Sequence, residues 1–178
     1  IQVTSSVLLT NSTIDLECST NSGNTFTIDW STTGDIILID SKIEVTQYRT
    51  AKMEFEAGNI SLTNSTLHAG TKYTSYSSNT VDSDIIFRTD SLSLDNSTVT
   101  SRSEQTSDNG SGYTRKAYSD LTVEAEILEM ENSTLLSQGS NSGTRSGWNK
   151  DAYVNLEIEA GNITVTDSEI ESERTTSH

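Results

Sequence analysis

One short pattern recurs six times along the 178-residue chain and constrains its fold more than any other feature. In each copy apolar residues occupy every second position, an Asn or Asp followed by Ser interrupts the alternation, and an apolar residue follows two positions later. The Ser-to-Ser spacings are 29, 24, 32, 36 and 35 residues. The six pairs are Asn11-Ser12, Asp40-Ser41, Asn64-Ser65, Asn96-Ser97, Asn132-Ser133 and Asp167-Ser168.

The alternation within each copy predicts β-strands, because side chains of a strand point to opposite faces with a period of two. The Asx position suits a bend, since Asn and Asp tolerate left-handed backbone and hydrogen-bond their own main chain. We expect the neighbouring Ser to point inward at a corner where only a small side chain fits. Two short strands cannot bury an apolar face alone, so each repeat must stack on its neighbours.

Stacking equivalent positions produces three columns of apolar side chains that form the predicted core. They are Val7, Ile36, Ile60, Leu92, Leu128 and Ile163; Leu9, Leu38, Leu62, Leu94, Met130 and Val165; and Ile14, Ile43, Leu67, Val99, Leu135 and Ile170. We therefore predict an all-β fold, a right-handed parallel β-helix (β-solenoid) of about six turns with long loops along one edge. The alternative is an antiparallel sandwich, which has no reason to repeat one corner motif.

The repeats indicate a single β-solenoid domain over residues 1–172, followed by a polar C-terminal tail at 173–178. The motif lies close to both ends, which is typical of a piece of a longer solenoid or of ends that stack. The chain begins without Met and without a basic and apolar leader, so we expect any export signal to lie outside this sequence. Cys18 is the single cysteine and permits no internal disulfide.

The charge of the chain limits its partners. Its formal net charge is −15, which argues against a nucleic-acid partner, because phosphate binding needs clusters of Lys and Arg. No run of about eighteen apolar residues is present, so we expect no membrane span. Eight of the eleven basic residues fall in the predicted inter-strand loops. The strand faces should therefore be strongly negative.

The predicted loops contain the candidate binding residues. These loops are 17–27, 46–52, 70–84, 102–120 and 138–155, and they hold all six tyrosines. Aromatic and cationic side chains on Gly/Ser-rich loops are typical of recognition surfaces. The alternative is that the tyrosines pack onto the strands and shield the core. The candidates are Tyr48, Arg49, Tyr73, Tyr76, Tyr113, Arg115, Tyr118, Arg145, Trp148 and Tyr153.

Asn-X-Ser/Thr sequons occur seven times, but most fall at repeated positions of the strand and bend motif, where turn chemistry explains them. Asn109 lies in a predicted loop and is the glycosylation candidate. The two histidines, His68 and His178, predict no metal site. Asp82 and Asp84 are compatible with calcium, although a solvated pair is the favoured interpretation. We expect neither a cofactor nor an enzymatic activity.

Two segments carry a resemblance to a known family. Glu56–Leu67 and Glu159–Ile170 both read Glu-Ala-Gly-Asn-Ile-X-Val/Leu-Thr-Asx-Ser-X-Ile/Leu. This resembles the haemagglutinin-type repeats of filamentous haemagglutinin-like bacterial surface proteins. The resemblance implies a right-handed β-helical shaft of an exported protein, located outside the cell or at its surface and used for display, adhesion or assembly.

The expected function is therefore a non-enzymatic structural or adhesive segment that presents its loops on a rigid shaft. Its expected partners are further copies, neighbouring solenoid segments, a glycan or a cell-surface protein. One alternative is a protomer of an extracellular filament, assembled end to end through uncapped turns at Val7 and Ile163. A second alternative is a β-helical protein that binds or degrades polysaccharide.

Overall fold

The computed structural model describes residues 2–3, 5–17, 25–74, 80–107, 115–143 and 150–177. These residues form strands and no helix, and every paired ladder between them is parallel. The strands are β1 (Gln2–Val3), β2 (Val7–Thr10), β3 (Thr13–Glu17), β4 (Thr25–Thr32), β5 (Asp35–Ile39), β6 (Lys42–Gln47), β7 (Thr50–Thr63), β8 (Thr66–Thr74), β9 (Thr80–Asp95), β10 (Thr98–Ser107), β11 (Arg115–Glu131), β12 (Thr134–Gly143), β13 (Lys150–Thr166) and β14 (Glu169–Ser177).

The strands form two sheets between which the chain alternates. The first sheet has the order β1-β4-β7-β9-β11-β13, with β2 and β5 alongside, and the second has the order β3-β6-β8-β10-β12-β14. Each strand therefore pairs with strands of the preceding and following repeats rather than with its neighbour along the chain. This is a parallel β-solenoid, and the predicted all-β fold class is confirmed.

The passage from the first sheet to the second is the Asx bend. All six Asx residues have a positive φ, between 47° and 50°, and they are the non-glycine residues with a positive φ in the described chain. Asn and Asp adopt this left-handed conformation more readily than other residues with a Cβ atom, because their short polar side chains can hydrogen-bond locally. The repeated Asx column therefore encodes the corner of the solenoid.

The Ser after each Asx forms a ladder along that corner, here named the corner serine ladder. In the first five repeats the backbone N–H of the Ser donates to Oγ of the equivalent Ser in the next repeat, at 2.9 to 3.2 Å. Each Oγ in turn donates to the carbonyl oxygen two residues earlier. The members are Ser12, Ser41, Ser65, Ser97, Ser133 and Ser168. The ladder satisfies groups that the bend would otherwise bury without partners.

The core lies between the sheets, where the three apolar columns stack in register. A further column of aromatic rings runs beside them: Trp30 meets Phe55 edge to face at 5.6 Å, and Phe55 stacks on Phe87 at 5.5 Å. Residues of the columns in the central repeats are buried. Ile163 and Val165 are exposed because the described chain places no strand beyond β13.

The boundaries of all five predicted loops are wrong, because strands occupy part of 17–27 and 46–52 and much of 70–84, 102–120 and 138–155. The residues between strands of the second and first sheets are 18–24, 48–49, 75–79, 108–114 and 144–149. Similarly, the predicted polar tail at 173–178 belongs to β14 as far as Ser177. In the missed strand segments many inward residues are polar, such as Ser83, Ser103 and Ser119, and they interrupt the hydrophobic alternation.

A hydrogen-bonded row of buried serines, two of them in the missed segments, crosses from one sheet to the other. Ser101 Oγ donates to the Ser83 carbonyl oxygen at 2.7 Å, Ser119 Oγ to that of Ser101 at 2.7 Å, and Ser137 Oγ to that of Ser119 at 2.8 Å. All four side chains are fully buried. Burying a hydroxyl group costs little when its hydrogen bonds are made, so this polar interior is compatible with a stable fold.

Candidate functional site

Two predicted binding residues, Tyr118 on β11 and Tyr153 on β13, lie side by side on the outer face of the first sheet. They are paired in register, and their rings stack with centroids 4.8 Å apart and planes inclined by 11°. Their chain neighbours Ala117, Ser119 and Ala152 are fully buried, so alternation turns both rings outward. Tyr153 is 41% exposed. Both tyrosines were predicted to lie in loops, and strands hold them instead.

A cation lies beside the stacked rings. Lys116 Nζ is 5.5 Å from the centroid of the Tyr153 ring, a distance at which an ammonium group is attracted to the ring. The pKa of Lys116 is raised, mainly because its ammonium group donates a hydrogen bond to Tyr118. The Tyr153 hydroxyl donates to Asp151 Oδ2 at 3.3 Å. Lys116 and Asp151 are register partners two positions before the rings, so a cation and a carboxylate adjoin the ring pair on the same side.

Three carboxyl groups, here named the acidic triad, adjoin the rings on the same face. Asp82 on β9 pairs with Tyr118, and Asp84 pairs with Asp120 of β11. One carboxylate oxygen of each of the three lies within 4.8 Å of those of the other two. Parallel in-register stacking places Asp84 and Asp120 about 4.8 Å apart, and Asp82 is the preceding outward residue on the strand of Asp84.

The triad is half-buried, and this changes its protonation. Burial raises the pKa of Asp82 and of Asp120. Burial also raises the pKa of Asp84 to about 7, with the negative charges of Asp82 and Asp120 adding to the effect. The positive charge of Lys52 opposes the pKa shifts of Asp82 and Asp84. Near neutral pH the triad can therefore retain a proton, and carboxylate oxygens so grouped are also the ligand type that hard divalent cations prefer.

Elsewhere the same face carries paired charges. Arg88 bridges two carboxylates: it contacts Glu54, and its Nε lies 3.2 Å from Glu124 Oε2. Lys52 Nζ lies 3.0 Å from Glu54 Oε2. A hydrogen bond from Lys52 is the main reason why the pKa of Glu54 is lowered. The basic residues of this part of the face therefore have acidic partners, whereas the triad consists of like charges.

The other predicted binding residues lie apart from this face or outside the described residues. Tyr48 and Arg49 connect β6 to β7, and Tyr48 packs against buried Val81 and Ala117, as the core-shielding interpretation expects. The backbone of Tyr73 and Arg115 lies on β8 and β11, and their side chains are not among those described. Tyr76, Asn109, Tyr113, Arg145 and Trp148 lie outside the described residues.

Lys116 and Asp120 were not singled out from the sequence, yet the repeat contains a signal for the triad and the ring pair. Asp84 and Asp120 each lie 13 residues before their corner Ser, and Tyr118 and Tyr153 each lie 15 residues before theirs. Counting backwards from the corner therefore aligns residues that stack. Counting apolar residues does not find them, because they belong to the outer face.

No protein-family model, curated protein or solved structure matches this chain. The geometry of the strands by itself shows a parallel β-solenoid of a repeat protein. The resemblance to haemagglutinin-type repeats stays a prediction. The described residues form no helix, and thus none that could span a membrane.

Proposed function

We propose that this chain is a non-enzymatic structural or adhesive segment of an extracellular surface protein, a rigid shaft of the filamentous haemagglutinin-like kind that binds glycan through its first sheet. The observation that carries this proposal is the in-register stack of Tyr118 on Tyr153. Parallel strands hold both rings at a defined spacing, so little side-chain freedom is lost when a ligand binds.

The chemistry of the face favours a sugar over other ligands. The apolar C–H face of a sugar ring packs on an aromatic ring, and the exposed Tyr153 provides such a surface. The carboxylates of the triad and the Lys116 ammonium group can accept and donate hydrogen bonds to sugar hydroxyl groups. The net charge of −15 disfavours an anionic polysaccharide. Neutral or amino-bearing glycans are therefore the expected class.

The test is a glycan array followed by calorimetric titration of the best ligand. Tyr153→Ala should weaken binding about tenfold, which corresponds to about 1.4 kcal/mol, a value within the range of one aromatic contact. Thr164→Ala is the matched control, because Thr164 is exposed on the same strand but distant from the rings along β13. Equal affinity of the parent and Tyr153→Ala, or binding to no glycan on the array, would contradict the proposal.

The acidic triad favours a second candidate function, polysaccharide degradation. A carboxyl group with a pKa of about 7 can serve as a general acid beside a second carboxyl group, the pair of groups that glycoside hydrolysis uses. Reducing-sugar release from a polysaccharide panel, lost in Asp84→Asn, would support this candidate. A parent protein that releases no sugar from ligands it binds would leave the adhesive role as the function.

A further inference from the structure

Four of the six corners place an Asn directly before the corner Ser, at Asn11, Asn64, Asn96 and Asn132. Asn is a thermolabile residue, most of all before a small one. The backbone nitrogen of the following residue loses its proton and bonds to Cγ of the Asn side chain, and Nδ2 takes up a proton and leaves as ammonia. Water then opens the resulting succinimide ring to an aspartyl residue, or to an isoaspartyl residue in which Cβ has entered the main chain. At these corners the attacking nitrogen belongs to the corner Ser.

The corner serine ladder holds that nitrogen. Ser65 N–H donates to Ser97 Oγ at 3.0 Å, and Ser97 N–H donates to Ser133 Oγ at 3.0 Å. All three serines are buried. Attack by the Ser65 nitrogen on Asn64 would break the bond to Ser97 and leave a buried hydroxyl group short of a partner, which is unfavourable. The reactivity of a corner Asn therefore depends on the Ser of the following repeat.

The leaving amide group is also hydrogen-bonded. Asn64 Nδ2 donates to Asp40 Oδ1 at 3.1 Å, and Asn96 Nδ2 donates to Asn64 Oδ1 at 2.7 Å. Asn64 and Asn96 are nevertheless exposed, so the water that opens a succinimide ring has access to them. Protection of these corners therefore rests on hydrogen bonds and not on exclusion of solvent.

The corner tolerates one product of this reaction and not the other. Asp40 and Asp167 occupy the same position with φ of 50° and 47°, so an aspartyl residue is compatible with the bend. An isoaspartyl residue lengthens the main chain by one atom, which would displace the corner Ser from the ladder. Isoaspartyl formation is therefore the damaging outcome for the solenoid.

We propose that each corner Asn is a latent deamidation site, held closed by the corner Ser of the following repeat. Ser97 controls Asn64 in this way, and Ser133 controls Asn96. The ladder thereby preserves the corners chemically as well as thermodynamically. This role is independent of the proposed glycan site.

The first experiment compares the folded parent protein with the same chain unfolded in guanidinium chloride. Both are incubated at mildly alkaline pH, because the attacking nitrogen must lose its proton, and tandem mass spectrometry locates each converted Asn. We expect the corner asparagines to react at least about tenfold more slowly in the folded protein, a factor equivalent to about 1.4 kcal/mol, within the range of one hydrogen bond. Equal rates in the two states would overturn the proposal.

Two variants test the control between repeats. Ser97→Ala removes the acceptor of the Ser65 N–H, so Asn64 should react faster, towards the rate of the unfolded chain, while Asn132 keeps the parent rate. Ser133→Ala removes the acceptor of the Ser97 N–H, so Asn96 should react faster while Asn64 keeps the parent rate. Each variant thus acts on the Asn of the preceding repeat. Circular dichroism checks that both are folded.

Phe87→Ala is the control for general destabilisation, because it removes core packing but no member of the ladder. Asn64 should react more slowly in Phe87→Ala than in Ser97→Ala. An equal or higher rate in Phe87→Ala, an unchanged rate of Asn64 in folded Ser97→Ala, or equal acceleration of Asn64 and Asn132 in that variant would each overturn the proposal. Ser133→Ala and the comparison of folded with unfolded parent do not depend on the folding of Ser97→Ala.

Discussion

Replacement of Ser97 by Ala probes the corner serine ladder at its centre. Ser97 is 2% exposed; its Oγ donates to the Asp95 carbonyl oxygen at 2.8 Å and accepts the Ser65 N–H at 3.0 Å. The substitution removes both bonds and leaves a buried N–H without a partner. A net hydrogen bond contributes about 0.5–1.5 kcal/mol, and an unsatisfied buried group costs about 1–3 kcal/mol. We expect Ser97→Ala to lower the free energy of unfolding by roughly 2–3 kcal/mol.

The matched control is Ser12→Ala at the first position of the ladder. Ser12 Oγ donates to the Thr10 carbonyl oxygen at 2.9 Å and, within the described chain, accepts no backbone N–H. We therefore expect a loss below about 1 kcal/mol. Urea unfolding followed by circular dichroism measures both values, and equal m-values ensure that the comparison is sound. Equal losses in the two variants, or a loss below about 0.5 kcal/mol for Ser97→Ala, would refute the role assigned to the ladder.

Three further predictions follow from single positions. The pKa of Asp84 is about 7 in the folded state, so the folded protein retains this proton at pH values where the unfolded chain has released it. The free energy of unfolding should therefore fall as pH rises from about 4 to about 7. Asp84→Asn should reduce this pH-dependent fall in stability by on the order of 1 kcal/mol, a value discounted for solvent screening. Asp90→Asn, which lies outside the triad, should leave the fall unchanged. The melting temperature measured against pH tests both variants. Phe87→Ala should cost about 3–5 kcal/mol in urea unfolding, since the fully buried ring stacks on Phe55; a cost near that of an exposed site would contradict this packing. Asn96→Val should destabilise by about 1–2 kcal/mol more than Asn96→Gly, because φ is 47° there, and similar melting temperatures would argue against backbone strain.

The corner and the core could be predicted from the sequence because their signals are local to each repeat. Asn or Asp before Ser marks a left-handed bend, and the observed φ values of 47° to 50° follow from that chemistry. Alternating apolar residues such as Leu92 and Leu94 mark an inward face wherever it is apolar. Where the inward residues are Ser103 and Ser119, the alternation has no hydrophobic contrast, and the sequence predicts a loop in place of a strand.

The candidate site could not be predicted from one repeat, because it depends on which residues of different repeats become neighbours. Tyr118 and Tyr153 are 35 residues apart, and Asp84 and Asp120 are 36 apart, so only the register of the sheet brings them together. The packing of Tyr48 against Val81 also depends on a neighbouring repeat. A list of loop aromatics could not separate a ring that shields the core from a ring that faces solvent.

The sequence by itself determined the repeating unit, its bends and its apolar columns, because these depend on side-chain size, polarity and backbone preference at adjacent positions. Only the tertiary structure decided which outward residues share a surface and which polar residues are buried. The physical reason is that parallel stacking brings residues of successive repeats to about 4.8 Å, and their ring contacts, carboxyl clusters and hydroxyl hydrogen bonds arise at that distance.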